Sequence, residues 1–137
     1  MSGLLDIDPA AAAPIWRQIE DGVRRLVASG SLAPGAPVPS VRELARTLRV
    51  NPATVSKAYQ LLTDAGLLTV RRGEGTFVAE LAPADRAAER ERLLEEGAQR
   101  FVEVARSMGA TRTEAKRAVD AAWVEITEGG EGTRHAE

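Results

Sequence analysis

The sequence contains no cysteine, one histidine, and only two Phe, two Trp and one Tyr among 137 residues. Without cysteine there is neither a disulfide framework nor thiolate chemistry. The single His135 stands in a polar C-terminal tail, and Glu95 and Glu96 are neighbours on a charged helical stretch. No compact set of histidines or carboxylates recurs, so an enzyme is not expected, nor a metal site, nor any cofactor. There is no apolar run of about 18 residues. The N-terminus also lacks the basic start of a secretory signal, so the expectation is a cytoplasmic protein with no membrane partner.

The net charge of −2 hides a division. Residues 14–80 carry nine Arg or Lys against six acids, whereas residues 81–137 carry nine against twelve. Only the front part therefore has a surface suited to phosphate.

Local signals are densest between Pro39 and Ala79. Ser40 with Glu43 makes a capping box, and Val41, Leu44, Ala45 and Leu48 follow at helical spacing. Val50 and Asn51 interrupt that helix. Asn51 is placed to cap the next one, with Pro52 at a first position where no amide is needed. Val55, Ala58, Tyr59 and Leu62 form the inward face of this second helix, leaving Ala53, Thr54, Ser56, Lys57 and Gln60 outward. Gly66 stops it. Leu67 to Arg72 and Thr76 to Val78 read as strands around Gly73-Glu74-Gly75, two of whose residues tolerate positive φ. Two helices and a hairpin in this order predict a winged helix-turn-helix.

Residues 1–13 read as a loosely structured N-terminal tether, although Leu4, Leu5 and Ile7 alternate with acids in a way that also suits a short strand. Pro14 opens a helix with the stripe Ile15, Ile19, Val23, Leu26 and Val27, ended by Gly30. The stretch from Leu32 to Pro39 has too much Pro and Gly for a helix or a central strand and reads as a rigid connector, with Leu32 and Val38 plugging the core. After the wing, Pro83 opens a charged helix. Its residues Leu94, Ala98, Phe101, Ala105 and Met108 recur at alternating spacings of four and three, a narrow seam of the kind used against another helix. Gly109 stops it, Thr111 and Glu114 form a second capping box, and Ala115, Val119, Ala122, Trp123 and Ile126 line a last helix. Residues 129–137 read as a disordered tail. The domains expected are thus 14–80 and 81–128.

From Pro14 to Val78 the chain resembles the GntR family of bacterial transcription regulators. The matching pieces are Pro14-Ile15 with Gln18-Ile19, Gly30 to Gly35, Pro39 to Ala45, Val50 to Val55, Ala58-Tyr59, Gly66-Leu67, and Arg72 to Val78. The 57 residues after Glu80 are too few for the large effector domains of most members. Their two helices look like the YtrA branch, whose short tail serves dimerisation, as does the Asn51-Pro52 start. Many members carry a polar or basic residue where Pro52 stands, and that departure removes one contact. The fold class implied is mainly α with a small β-hairpin: a winged helix-turn-helix followed by a two-helix dimerisation element.

The resemblance implies a sequence-specific repressor that binds a palindromic double-stranded DNA operator as a homodimer, with the recognition helix in the major groove and the wing at the minor groove. Its DNA-binding positions fall on Arg42, Asn51, Ala53, Thr54, Ser56, Lys57, Arg72, Gly73 and Gly75. Plainer roles stand beside these: a solvated charge for Arg42 or Lys57, a local helix-start hydrogen bond for Thr54, a cap for Asn51, and hairpin geometry for the two glycines. Arg71 alternates onto the opposite strand face from Arg72, and Arg24, Arg25, Arg46 and Arg49 read as helix-surface charges. The dimer interface is expected at Leu94, Ala98, Phe101, Ala105, Met108, Trp123 and Ile126, with packing between the two tail helices as the alternative. Two other functions remain open at this point: a protein-interaction module, or a regulator gated by a small effector near Phe101 and Trp123.

Overall fold

The structure, a computed structural model, describes residues 5–134, with side chains over 5–129. Five helices and three short strands run in the order α1 (Ile15–Ser29), β1 (Pro37–Val38), α2 (Val41–Leu48), α3 (Pro52–Asp64), β2 (Leu68–Arg71), β3 (Gly75–Val78), α4 (Pro83–Ser107) and α5 (Arg112–Arg134). The strands form one antiparallel sheet in the order β1-β3-β2. Residues up to Leu93 make one compact unit and those from Leu94 a second.

The helix ends follow the local chemistry. Ser40 Oγ accepts from the Glu43 amide at 3.1 Å, and Asn51 Oδ1 accepts from the Ala53 amide at 2.9 Å. Each satisfies a first-turn donor that has no intrahelical partner. The turn between them is closed by Arg49 in the left-handed region (φ 57°), with the Val50 amide reaching back to the Ala45 carbonyl at 3.0 Å. That geometry usually calls for glycine. It lets α3 start with only Arg49, Val50 and Asn51 between it and α2.

Ile19, Val23 and Val27 of α1, Leu44 of α2, Val55 and Leu62 of α3, and Leu68 and Val78 of the hairpin are the largest fully buried side chains of the first unit. Leu32 and Val38 close it. Tyr59 adds a polar tie, its hydroxyl donating to the Pro39 carbonyl at 2.8 Å. Burial, and then the Glu43 carboxylate, hold this phenol above the usual tyrosine range, so it stays a donor. Tyr59→Phe is expected to cost about 1 kcal/mol, the usual net worth of such a bond, read as a lower urea midpoint at unchanged slope.

Three features differ from the sequence reading. Pro37 and Val38, taken for connector, form an edge strand on β3, where an N–H-free residue is tolerated. Gly35 donates to the Val78 carbonyl at 2.9 Å, and Val78 donates to Ala36 at 2.8 Å, locking that connector to the wing. In the N-terminal stretch, Leu5 is buried in the core, and Gln18 holds the backbone of Asp8 through both its amide oxygen and its amide nitrogen. Finally, α5 continues past Gly129 to Arg134. Glycine costs a helix about 1 kcal/mol without stopping it, and no proline follows. Leu4 and His135, and the tail from residue 135, lie outside the described residues.

The second unit is differently built. Ala105 is the buried residue of α4, and every described residue of α5 from Lys116 onward is exposed. The capping box at its start is complete: the Glu114 amide donates to Thr111 Oγ1 at 3.2 Å, and the Thr111 amide donates to Glu114 Oε1 at 3.3 Å. Among the described residues, no helix is long and apolar enough to cross a membrane.

Candidate nucleic-acid interface

Because Val55, Ala58, Tyr59 and Leu62 anchor α3 against α1 and α2, the rest of its circumference faces outward. Asn51, Ala53, Ser56, Lys57 and Gln60 are exposed, and Thr54 is half-buried. Asn51 spends its side-chain oxygen on the cap, which leaves its amide nitrogen for an outside acceptor. The one aromatic residue of α3, Tyr59, points inward and not onto this face.

The basic residues sort by their partners. Arg24 is committed to an ion-pair network, 3.1 Å from Glu20 and 3.0 Å from Glu89, while Arg92 meets the same Glu89. Among the described residues, Arg42, Arg46, Arg49, Lys57, Arg71 and Arg72 make no ion pair and are all exposed. Arg42 and Arg46 lie one turn apart on α2 and so share a face. The sequence reading counted Arg46 as an ordinary surface charge. Only the pairing pattern distinguishes it from Arg24, which is a tertiary fact.

At the wing, β2 and β3 pair in the register Arg71 to Gly75 and Thr69 to Phe77. Arg71 therefore lies on the same face as Phe77, and its guanidinium stacks 4.1 Å from that ring's centre. Arg72, Gly73 and Gly75 sit at the exposed tip, with Gly73 at φ 76° and Gly75 at φ 123°. A second cation-on-ring contact joins two helices: Lys57 Nζ of α3 lies 4.2 Å from the centre of the Trp16 ring on α1. No local spacing links these two positions, and the sequence reading gave Trp16 no role.

The residues expected at a dimer interface fall in the second unit. Leu94, Met108, Trp123 and Ile126 are each about 70% exposed (69%, 74%, 73% and 75%), Phe101 36%, and Ala98 is exposed too. Ala105 differs, being buried within its own chain at the α4–α5 turn. Val102, Val104, Val119 and Val124 widen the exposed apolar surface beyond the seam. An open cleft lies at that turn, lined by Val102, Ala105, Arg106, Ala110, Arg112 and Ala115. Its lining includes neither Phe101 nor Trp123.

The chain is also similar to known proteins in sequence and in fold. Residues 16–78 match the family model described as bacterial regulatory proteins, gntR family. The chain is 43% identical over 79 residues to the HTH-type transcriptional repressor YtrA of Bacillus subtilis, a stretch covering 58% of this chain and 61% of that one. It is 35% identical over 113 residues to the HTH-type transcriptional regulator Rv1152 of Mycobacterium tuberculosis, covering 82% of this chain and 88% of that one. Among solved structures, YtrA from Sulfolobus acidocaldarius, a GntR-family transcription factor, superposes with a TM-score of 0.55 at 35% identity, over 70% of this chain and 97% of the other.

Proposed function

The chain belongs to the gntR family of bacterial regulatory proteins, as a DNA-binding transcription regulator and not an enzyme, and from that premise we propose that it is a dimeric repressor of a palindromic operator. The observation that carries this reading is the pairing of an outward α3 face that bears no aromatic residue of its own with exposed cations on α2, α3 and the wing that make no ion pair among the described residues. Phosphate neutralisation supplies the affinity and groove contacts the specificity. Arg42 takes a phosphate or a guanine edge. Asn51, Ala53, Thr54 and Ser56 meet the major groove, Lys57 meets a phosphate, and Arg72 with the Gly73 and Gly75 backbone approaches the minor groove.

The exposed apolar residues of the second unit are the surface on which two copies join. A two-fold dimer sets its two recognition helices roughly 34–36 Å apart, one turn of duplex, so the operator is expected to be an inverted repeat. Repression is supported by the role of the Bacillus relative, a transcriptional repressor.

Selection of bound fragments from the source genome tests this, with the consensus examined for two-fold symmetry. Binding that does not weaken with added salt, or a consensus without symmetry, would overturn it. On the selected duplex, Arg42→Ala is expected to bind about 10- to 100-fold more weakly, as loss of one bidentate or phosphate contact predicts. Unchanged affinity in a gel-shift titration would remove Arg42 from the interface.

A further inference from the structure

The contact between Lys57 and Trp16 has no part in the fold's core and none in the contacts assigned above. Trp16 lies in the first turn of α1, half-buried and packed against the core, so its ring is a fixed object. Lys57 is exposed on α3, and among the described residues this ring is its only partner. A lysine is otherwise a point charge on a flexible four-carbon stem, and confining that stem is a cost of using it. An ammonium resting on a π face by one side keeps donors on its other side. A charge held this way is pre-arranged for an oxygen anion arriving from solvent, beside the helix that reads the groove.

We propose that Trp16 is a positioning residue for DNA recognition: its ring holds the Lys57 ammonium at the edge of α3, ready for a backbone phosphate. This rests on the reading of α3 as the recognition helix. Trp16 acts through Lys57, so the two form one device joining α1 to α3.

The test is a double-mutant cycle in the full-length chain, with a duplex recovered from a random library by the wild-type protein as probe. Wild-type binding must fall with salt; if it does not, the DNA reading itself fails and the cycle is not its cause. Given that, Trp16→Leu, which fills space without a π face, is expected to weaken binding about three- to fivefold, whereas Trp16→Phe stays within about twofold. Lys57→Gln is expected to lower the salt slope by about one. In the Lys57→Gln background, Trp16→Leu then has no further effect. A Trp16→Leu cost that persists undiminished in that background would make Trp16 merely structural. Unchanged or tighter binding by Trp16→Leu alone would mean that the ring does nothing or sequesters the charge. Either result overturns the proposal.

Discussion

A chain in which Phe101 and Trp123 are both replaced by glutamate is expected to sediment as a monomer at micromolar concentration. It should also bind its operator at least about 100-fold more weakly, because two linked reading heads gain two to four orders of magnitude over one. The apolar side chains on α4 and α5 are the basis. Leu94, Phe101, Met108, Val119, Trp123 and Ile126 remain substantially exposed in a single chain. Fully burying one such side chain contributes about 1.5–3 kcal/mol, which is the gain set against the cost of bringing two chains together. In the proposed dimer these are the side chains that the second copy covers. A carboxylate placed there must be desolvated or must keep the surfaces apart, and either outcome opposes pairing. The first unit should keep its own unfolding transition, because neither residue belongs to its core. A variant that remains dimeric and binds as tightly as wild type would place the dimer interface elsewhere.

Leu62→Ala is expected to destabilise the first unit by about 3 kcal/mol, within the range of roughly 2–5 for a large-to-small change at a closed core site. Leu62 is fully buried, and its carbonyl also accepts the Leu67 amide at 2.9 Å as α3 ends. The side chain thus sits where α3 passes into the wing. Small domains are stable by about 5–15 kcal/mol, so a loss of 3 raises the unfolded fraction by roughly two orders of magnitude. Urea denaturation should show a lower midpoint at unchanged slope. Gln60→Ala, two residues away on the exposed side, is expected to change stability by less than about 0.5 kcal/mol. A Leu62→Ala cost below about 1 kcal/mol would mean that the site collapses around the smaller side chain.

The elements of the winged helix-turn-helix were legible because their boundaries are local. Ser40, Asn51-Pro52, Gly66 and Gly73-Glu74-Gly75 each act on backbone groups a few residues away, and those bonds form where the spacing puts them. The inward stripe of α3 was legible too, since a 3.6-residue period is a property of the chain alone. Strand β1 was not. Two residues carry no period, and Pro37-Val38 is a strand only because β3 lies alongside. The end of α5 is not legible for a related reason, because glycine merely weakens a helix and does not dictate an exit.

The candidate site divides the same way. Residue types and helical phase were sufficient to nominate Arg42, Ser56 and the wing tip as outward positions. They were not sufficient to separate Arg46, unpaired, from Arg24, which is tied to Glu20 and Glu89, or to connect Lys57 with Trp16. By itself, then, the sequence determined the order of elements, their caps, and which face of each helix is apolar, since these depend on dihedral preference and periodicity within a few turns. Only the tertiary structure decided which cations are left without a carboxylate and which aromatic ring holds a charge. It also decided that the apolar side chains of the last helix stay uncovered in one chain. Those facts depend on distances between residues remote in sequence, for which no local preference exists.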